Sequence, residues 1–234
     1  MQAPAIHIAP SILSADFRVL EREVKEAEAC GADRIHCDVM DGHFVPNLTF
    51  GPFVVEAVKK CVAIPLDVHL MIDNPQKYIA AYCDAGANVL IVHAEVCPND
   101  IEQVLAEIRR RNVRAGASVN PDKSADLLLP HLAHMDQALI MTVYAGFGGQ
   151  KFIPEMLPKI KAVRDEADRR GLALDIEVDG GINHESAALC AQQGANIFVA
   201  GNYVFKADNY KERIAAVRKA AEEGRKKKVD ELTR

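Results

Sequence analysis

Short apolar runs alternate along the chain with longer stretches in which apolar positions recur at helical spacing. The strand-length runs are IHIAPSIL (6–13), RIHCDVMD (34–41), LDVHLMI (66–72), NVLIVHAE (88–95), RAGASVN (114–120), QALIMTV (137–143), LDIEVDGG (174–181) and NIFVAG (196–201). Their length and β-branched content favour strands. Between them, ADFRVLEREVKEAEACG opens on Asp16 as an N-cap and closes on Gly31, residue types that start and stop helices. NDIEQVLAEIRRRN begins with acids and ends with arginines, as the helix dipole prefers. NPQKYIAAYCDAGA, PEMLPKIKAVRDEADRRG and HESAALCAQQGA follow the same pattern. Alternating strands and helices predict an α/β chain with a parallel sheet. Eight such units without a linker match a single (β/α)8 TIM barrel over 1–234, with a terminal helix and tail from about 218. The rival is an open doubly wound sheet, which usually carries G-x-G-x-x-G after its first strand; this chain has SADF there.

Composition narrows the class of partner. A net charge of −5 with mixed signs creates no field that points to nucleic acid or a membrane surface. The basic run GRKKK (224–228) reads as a solvated helix end. MQAPAIHIAPSIL lacks the basic leader of a signal peptide, and no apolar stretch reaches membrane-spanning length. The six cysteines, at 30, 37, 61, 83, 97 and 190, form no C-x-x-C pair. They read as buried thiols in a reducing compartment, so a cytoplasmic location is expected.

Three strands end on a similar polar pattern: His36-Cys37-Asp38, Asp67-Val68-His69 and Glu177-Val178-Asp179. Residues two apart share a strand face, and here that face is the barrel interior, at the strand ends where barrels place their chemistry. Six ionisable groups in so narrow a space call for a compensating cation. His36, Asp38, His69 and Asp179 are therefore expected to hold one divalent metal ion, Zn2+, Fe2+, Mn2+ or Co2+. Asp67 and Glu177, one layer lower, would orient those ligands. A hydrogen-bonded polar layer without metal competes with this reading, and four groups at one height weigh against it. His93 and Glu95 also end a strand, and His93 reads as a satisfied structural histidine. His7, His43, His131, His134 and His184 receive no metal role.

Glycine-rich segments form a second constellation. GFGGQKF (146–152), DGGI (179–182) and AGN (200–202) follow the last three strands. Glycine lets backbone N–H groups approach an anion closely, and loops after the last strands of a barrel commonly bind phosphate. The expected ligand is a phosphorylated small molecule. Met40, Met71 and Met141 fill gaps or floor the site beneath a planar intermediate.

IAPSILSADF, HCDVMDGHFVPNLTFGP, LDVHLMI, GFGGQKF and EVDGGI, in that order over almost the whole chain, resemble the ribulose-phosphate 3-epimerase family. The resemblance implies a ribulose-phosphate-binding barrel with one divalent metal per subunit. It implies inversion of C3 between D-ribulose 5-phosphate and D-xylulose 5-phosphate. Asp38 and Asp179 would act as the two bases on opposite faces of a 2,3-enediolate stabilised by the metal charge. Ser11 and His69 would contact substrate. Gly146, Phe147, Gly148, Gly149, Gly180, Gly181, Gly201 and Asn202 would hold the phosphate. A homo-oligomer is implied as well. The chain departs from the family pattern at Tyr144-Ala145, where Asn-Pro is usual, and at Gly201-Asn202-Tyr203, where Gly-Ser-Ala is usual. Both lie at the phosphate end and leave D-allulose 6-phosphate as an alternative substrate, although TFGP (49–52) and DGGI favour the pentose. A decarboxylase or hexulose-phosphate synthase of the same barrel group would need a lysine where this chain has Asp67-Val68-His69. A non-catalytic phosphosugar-binding barrel would predict a damaged ligand set, and all four positions are filled.

Overall fold

A computed structural model describes residues 4–232. Eight strands run parallel: β1 (His7–Ala9), β2 (Ile35–Met40), β3 (Leu66–Met71), β4 (Val89–His93), β5 (Arg114–Val119), β6 (Gln137–Met141), β7 (Asp175–Asp179) and β8 (Ile197–Val199). Each pairs with its sequence neighbours from β2 to β8, and β8 pairs with β1. The circle closes where Asp33 N donates to Ile8 O (2.9 Å) and His36 N to Pro10 O (3.0 Å). The result is a (β/α)8 TIM barrel.

Strand alternation divides the core. Cys37, Val68, Leu90, Val178 and Phe198 point outward and join the helices in the main apolar core. The residues between them point inward. Inside, Val89, Ile91, Leu139 and Met141 of β4 and β6 form one apolar cluster, and Ala9, Ile197 and Val199 of β1 and β8 form another. Buried polar groups of β2, β3 and β7 stand beside and between these clusters.

The helices are α1 (Leu20–Ala29), α2 (Pro52–Cys61), α3 (Ile79–Asp84), α4 (Ile101–Arg110), α5 (Leu157–Arg169), α6 (His184–Gln193), α7 (Asn202–Phe205) and α8 (Tyr210–Leu232). Four local expectations are corrected. The first strand is short, because the chain turns after Pro10 into a 3-10 turn, Ile12–Ser14, capped by Ser11. Asp16 caps another 3-10 turn, Phe17–Val19, and not α1 itself. The fifth unit has no α-helix: β5 and β6 are joined by 3-10 segments Ala125–Leu127 and Leu129–His134. Pro130 lies in the second of these and cannot donate the hydrogen bond that a helix interior needs. The terminal helix starts earlier than expected, at Tyr210. Gly224 lets its backbone lie directly on the Ala188 carbonyl of α6. Lys226 and Lys227 of the basic run are exposed, while Thr233 and Arg234 of the expected tail lie outside the described residues.

Candidate active site

The polar groups inside the barrel are stacked in two layers. In the lower layer Arg34, 5% exposed, reaches in from the start of β2. Its Nη1 donates to Gln137 Oε1 (2.7 Å) and lies 3.4 Å from Asp67 Oδ2, and its Nη2 lies 3.4 Å from Asp175 Oδ2. Gln137 Nε2 donates to Asp67 Oδ2 (2.9 Å) and to Glu177 Oε2 (2.7 Å). The lower carboxylates thus have a cation of their own, which the sequence reading did not supply. Burial and the Asp67 charge push the Glu177 carboxyl up to about 7.

The upper layer has no such partner. Asp38 Oδ1 faces His36 Nε2 (3.3 Å) and His69 Nδ1 (3.4 Å). All three atoms are buried, and none has a hydrogen-bond partner. With Asp179 they form a four-residue set whose ligand atoms lie within 4.8 Å of one another. Two imidazole nitrogens and one carboxylate oxygen, buried and without partners, with the half-buried Asp179 carboxylate beside them, fit a divalent cation of the borderline class. Glu177 Oε1 stands 3.5 Å behind His36 Nδ1, as an orienting carboxylate would. Among the described residues, a second close group is His36, Asp67 and Glu177, which the Arg34–Gln137 layer already serves.

The two upper carboxyls are driven apart electrostatically. Burial alone would raise Asp38, but the His36 and His69 rings hold it far below the usual carboxylate range. Ser11 Oγ donates to Asp38 Oδ2 (2.5 Å), which also favours the ionised form. Burial, and then the Asp38 charge, push Asp179 well above the usual range. Burial would depress His36, but Asp38 and Glu177 outweigh it and raise it. Burial pushes His69 down to about 4.

Above this layer opens a cavity of about 320 Å³. Asp38 and Asp179 form its floor, and Ser11, Met40, Met71 and Met141 line the wall beside them. Residues 146–149, 180–181 and 201–202, from the loops after β6, β7 and β8, surround the mouth. His36 and His69 are fully buried and lie beneath the floor, not on the wall. No lysine or arginine lines the cavity, so an anion there would meet backbone N–H groups and neutral side chains. Gly149, at φ +77°, packs so close to Asn202 that a Cβ would stand 2.5 Å from Asn202 Nδ2. Ser14 and Asn183 also line the cavity and escaped the sequence reading. Asn183 is the N-cap of α6, a signal that could have placed it at the strand end. The loops are cross-tied: Asn47 Nδ2 donates to Gly146 O (2.7 Å), and Gln150 Nε2 donates to Tyr144 O (2.7 Å) and Phe147 O (2.8 Å).

A profile of the Ribulose-phosphate 3 epimerase family matches residues 7–205. The chain belongs to this family. The ribulose-phosphate 3-epimerase of Bacillus subtilis is 50% identical over 214 residues, 91% of this chain and 98% of that relative. That of Synechocystis is 49% identical over 215 residues, 91% of this chain and 93% of the relative. The orotidine 5'-phosphate decarboxylase of Pyrococcus horikoshii has a TM-score of 0.66, covering 92% of this chain and 99% of that one, at 14% identity, a likeness of fold alone. Of the residues noted above as departing from the expected pattern, Tyr144, Asn202 and Tyr203 line the cavity, and Ala145 lies between two lining residues. Tyr144 stands at the rim, 54% exposed. Ala145 N donates to Asn120 Oδ1 (3.1 Å). Tyr203 lines the cavity, with its hydroxyl bonded to His184 Nδ1 (2.9 Å) and its ring under the Arg213 guanidinium, 4.9 Å from the centroid.

Proposed function

We propose that the chain inverts C3 of D-ribulose 5-phosphate to give D-xylulose 5-phosphate by transferring protons between two carboxyl groups. The observation that carries this reading is the convergence of two carboxyl groups, Asp38 and Asp179, on the lining of one cavity, with ligand atoms within 4.8 Å of each other. Inversion by two proton transfers needs one of them as base and the other as acid. Asp38, ionised and held by Ser11 Oγ, takes the C3 proton from one face. Asp179, protonated, returns a proton to the other face, and C3 is inverted. In the reverse direction the roles exchange. His36, Asp38, His69 and Asp179 would hold one divalent ion of the Zn2+, Fe2+, Mn2+ or Co2+ type, which when bound supplies Lewis-acid stabilisation of negative charge on the substrate. The methionines exclude water from the reacting carbons. The glycines of the three loops, with Asn202, hold the phosphate. Six free thiols suit a reducing cytoplasm, and no helix among the described residues is long and apolar enough to cross a membrane. Leu48 and Phe53, each 73% exposed, supply an apolar surface for a homo-oligomer.

The test is incubation with ribulose 5-phosphate in D2O, following C3 deuteration and xylulose 5-phosphate by NMR. Exchange with product formation is expected, reduced about 10²–10⁴-fold in Asp38→Asn and Asp179→Asn. No exchange by metal-loaded protein would refute the pentose assignment. Turnover of allulose 6-phosphate in its place would assign the hexose, and point to Tyr144 and Asn202 as the source of the change.

A further inference from the structure

His69 is gripped from behind as well as from the site. Its Nδ1 faces Asp38, while its Nε2 lies 2.9 Å from Nε2 of His93, whose ring stacks on it at 24° with centroids 4.9 Å apart. His93 is fully buried at the end of β4. Its Nδ1 is 3.1 Å from Glu95 Oε1, at an angle oblique enough that no hydrogen bond is assigned. That oxygen is itself anchored, accepting from Asn120 N (3.1 Å) and Asn120 Nδ2 (3.0 Å).

With both rings neutral, the contacts favour one arrangement of protons. A carboxylate only accepts, and with His93 Nδ1 3.1 Å from Glu95 Oε1 a hydrogen on that nitrogen is favoured over a lone pair facing the negative oxygen. The Nε2 of a neutral His93 is then bare, and the 2.9 Å contact requires N–H on His69 Nε2. His69 Nδ1 is therefore the lone-pair nitrogen, the one aimed at Asp38. The opposite arrangement sets two acceptors against each other at the Glu95 end. A ligating histidine is commonly fixed in this way by a partner on its other nitrogen.

We propose that His93 and Glu95 are positioning residues that lock His69 in the tautomer with N–H on Nε2, keeping its Nδ1 free to ligate. The proposal rests on the reading of His69 as a metal ligand. His93, a plain structural histidine in the sequence reading, becomes the middle of a Glu95–His93–His69 relay. Neither residue touches substrate, and both act through His69.

The test has two arms. In metal-free protein, long-range 1H–15N correlation spectra of the histidines report the tautomer directly. Wild type is expected to show His69 protonated on Nε2, and His93→Phe, which keeps the ring but has no acceptor, is expected to mix the two forms. In the second arm, Zn2+ affinity is measured by competition with a chromophoric chelator. His93→Phe is expected to bind roughly 10–100-fold more weakly, with His93→Gln recovering most of the loss because its amide oxygen can accept from Nε2. A wild-type His69 protonated on Nδ1 overturns the proposal even if no variant folds. Unchanged affinity in a folded His93→Phe also overturns it. If wild type binds no divalent ion while the tautomer is as expected, the metal reading falls and the relay stands.

Discussion

Replacing Arg34 by Met removes the buried cation of the lower layer while keeping an unbranched, space-filling side chain. Asp67 and Glu177 would stay fully buried, with Asp175 beside them, and Gln137 Oε1 would lose its 2.7 Å donor. Breaking a buried ion pair from one side costs about 3–5 kcal/mol, because the charge left behind is neither solvated nor paired. Glu177, already pushed up to about 7, can take up a proton and absorb part of that cost, so the lower end of the range is expected. With a urea dependence of about 3 kcal/mol per molar, the unfolding midpoint should fall by about 1 M. Urea titration followed by tryptophan-independent probes, far-ultraviolet circular dichroism and tyrosine fluorescence, measures it. The double variant Arg34→Met/Asp67→Asn should recover at least about 1 kcal/mol, since residues in one network are not additive. A loss below about 1 kcal/mol for the single variant, or costs that simply add in the double variant, would refute the view of Arg34 as the counter-ion of the layer.

Three further outcomes are expected. Gly149→Ala combines a left-handed backbone at φ +77° with a Cβ 2.5 Å from Asn202 Nδ2; steady-state kinetics should show KM for the phosphosugar raised several-fold with a smaller change in kcat, and an unchanged KM would detach this loop from the phosphate. Burial pushes the Cys37 and Cys97 thiols up to about 12 and raises Cys190 as well, so these three should stay inert to a thiol-disulfide reagent at neutral pH until urea unfolds the protein. For Asp175, burial is outweighed by the Arg114 and Asn196 hydrogen bonds, and its carboxyl sits below the usual value. Its contribution is therefore present above the unfolded carboxylate pKa and is lost as pH falls through the folded one. The stability gap between wild type and Asp175→Asn, read from urea titrations, should shrink steadily below about pH 4; a gap that widens in acid would reverse the sign.

The strands and the upper cluster of His36, Asp38, His69 and Asp179 could be read from the sequence because period-two alternation is a local property. His36 and Asp38, or Asp67 and His69, declare their shared face within three residues. The lower layer could not be read in this way. Arg34 stands one residue before β2, and its partners Asp67, Gln137 and Asp175 lie 33, 103 and 141 residues away. Nothing near Arg34 marks it as buried. The fifth unit failed for a different reason: the run of leucines before Pro130 has apolar content without helical continuity. The partnership of His93 with His69 arises only when β3 and β4 pair and turn both rings inward, so a strand-by-strand reading saw one plain histidine.

The bond from Ala145 N to Asn120 Oδ1 has a thermal consequence. A proline at that position would have no N–H to donate and would fix the turn covalently through its ring. In this chain the entrance to the 146–149 loop is held instead by a contact of about 0.5–1.5 kcal/mol, a grip that can open locally while the barrel stays folded. Warming should then release amide protection at residue 145 well before global melting. The upper limit of useful working temperature would be set by this latch together with the Asn47 and Gln150 ties of the same loop, and not by the melting point of the barrel around them.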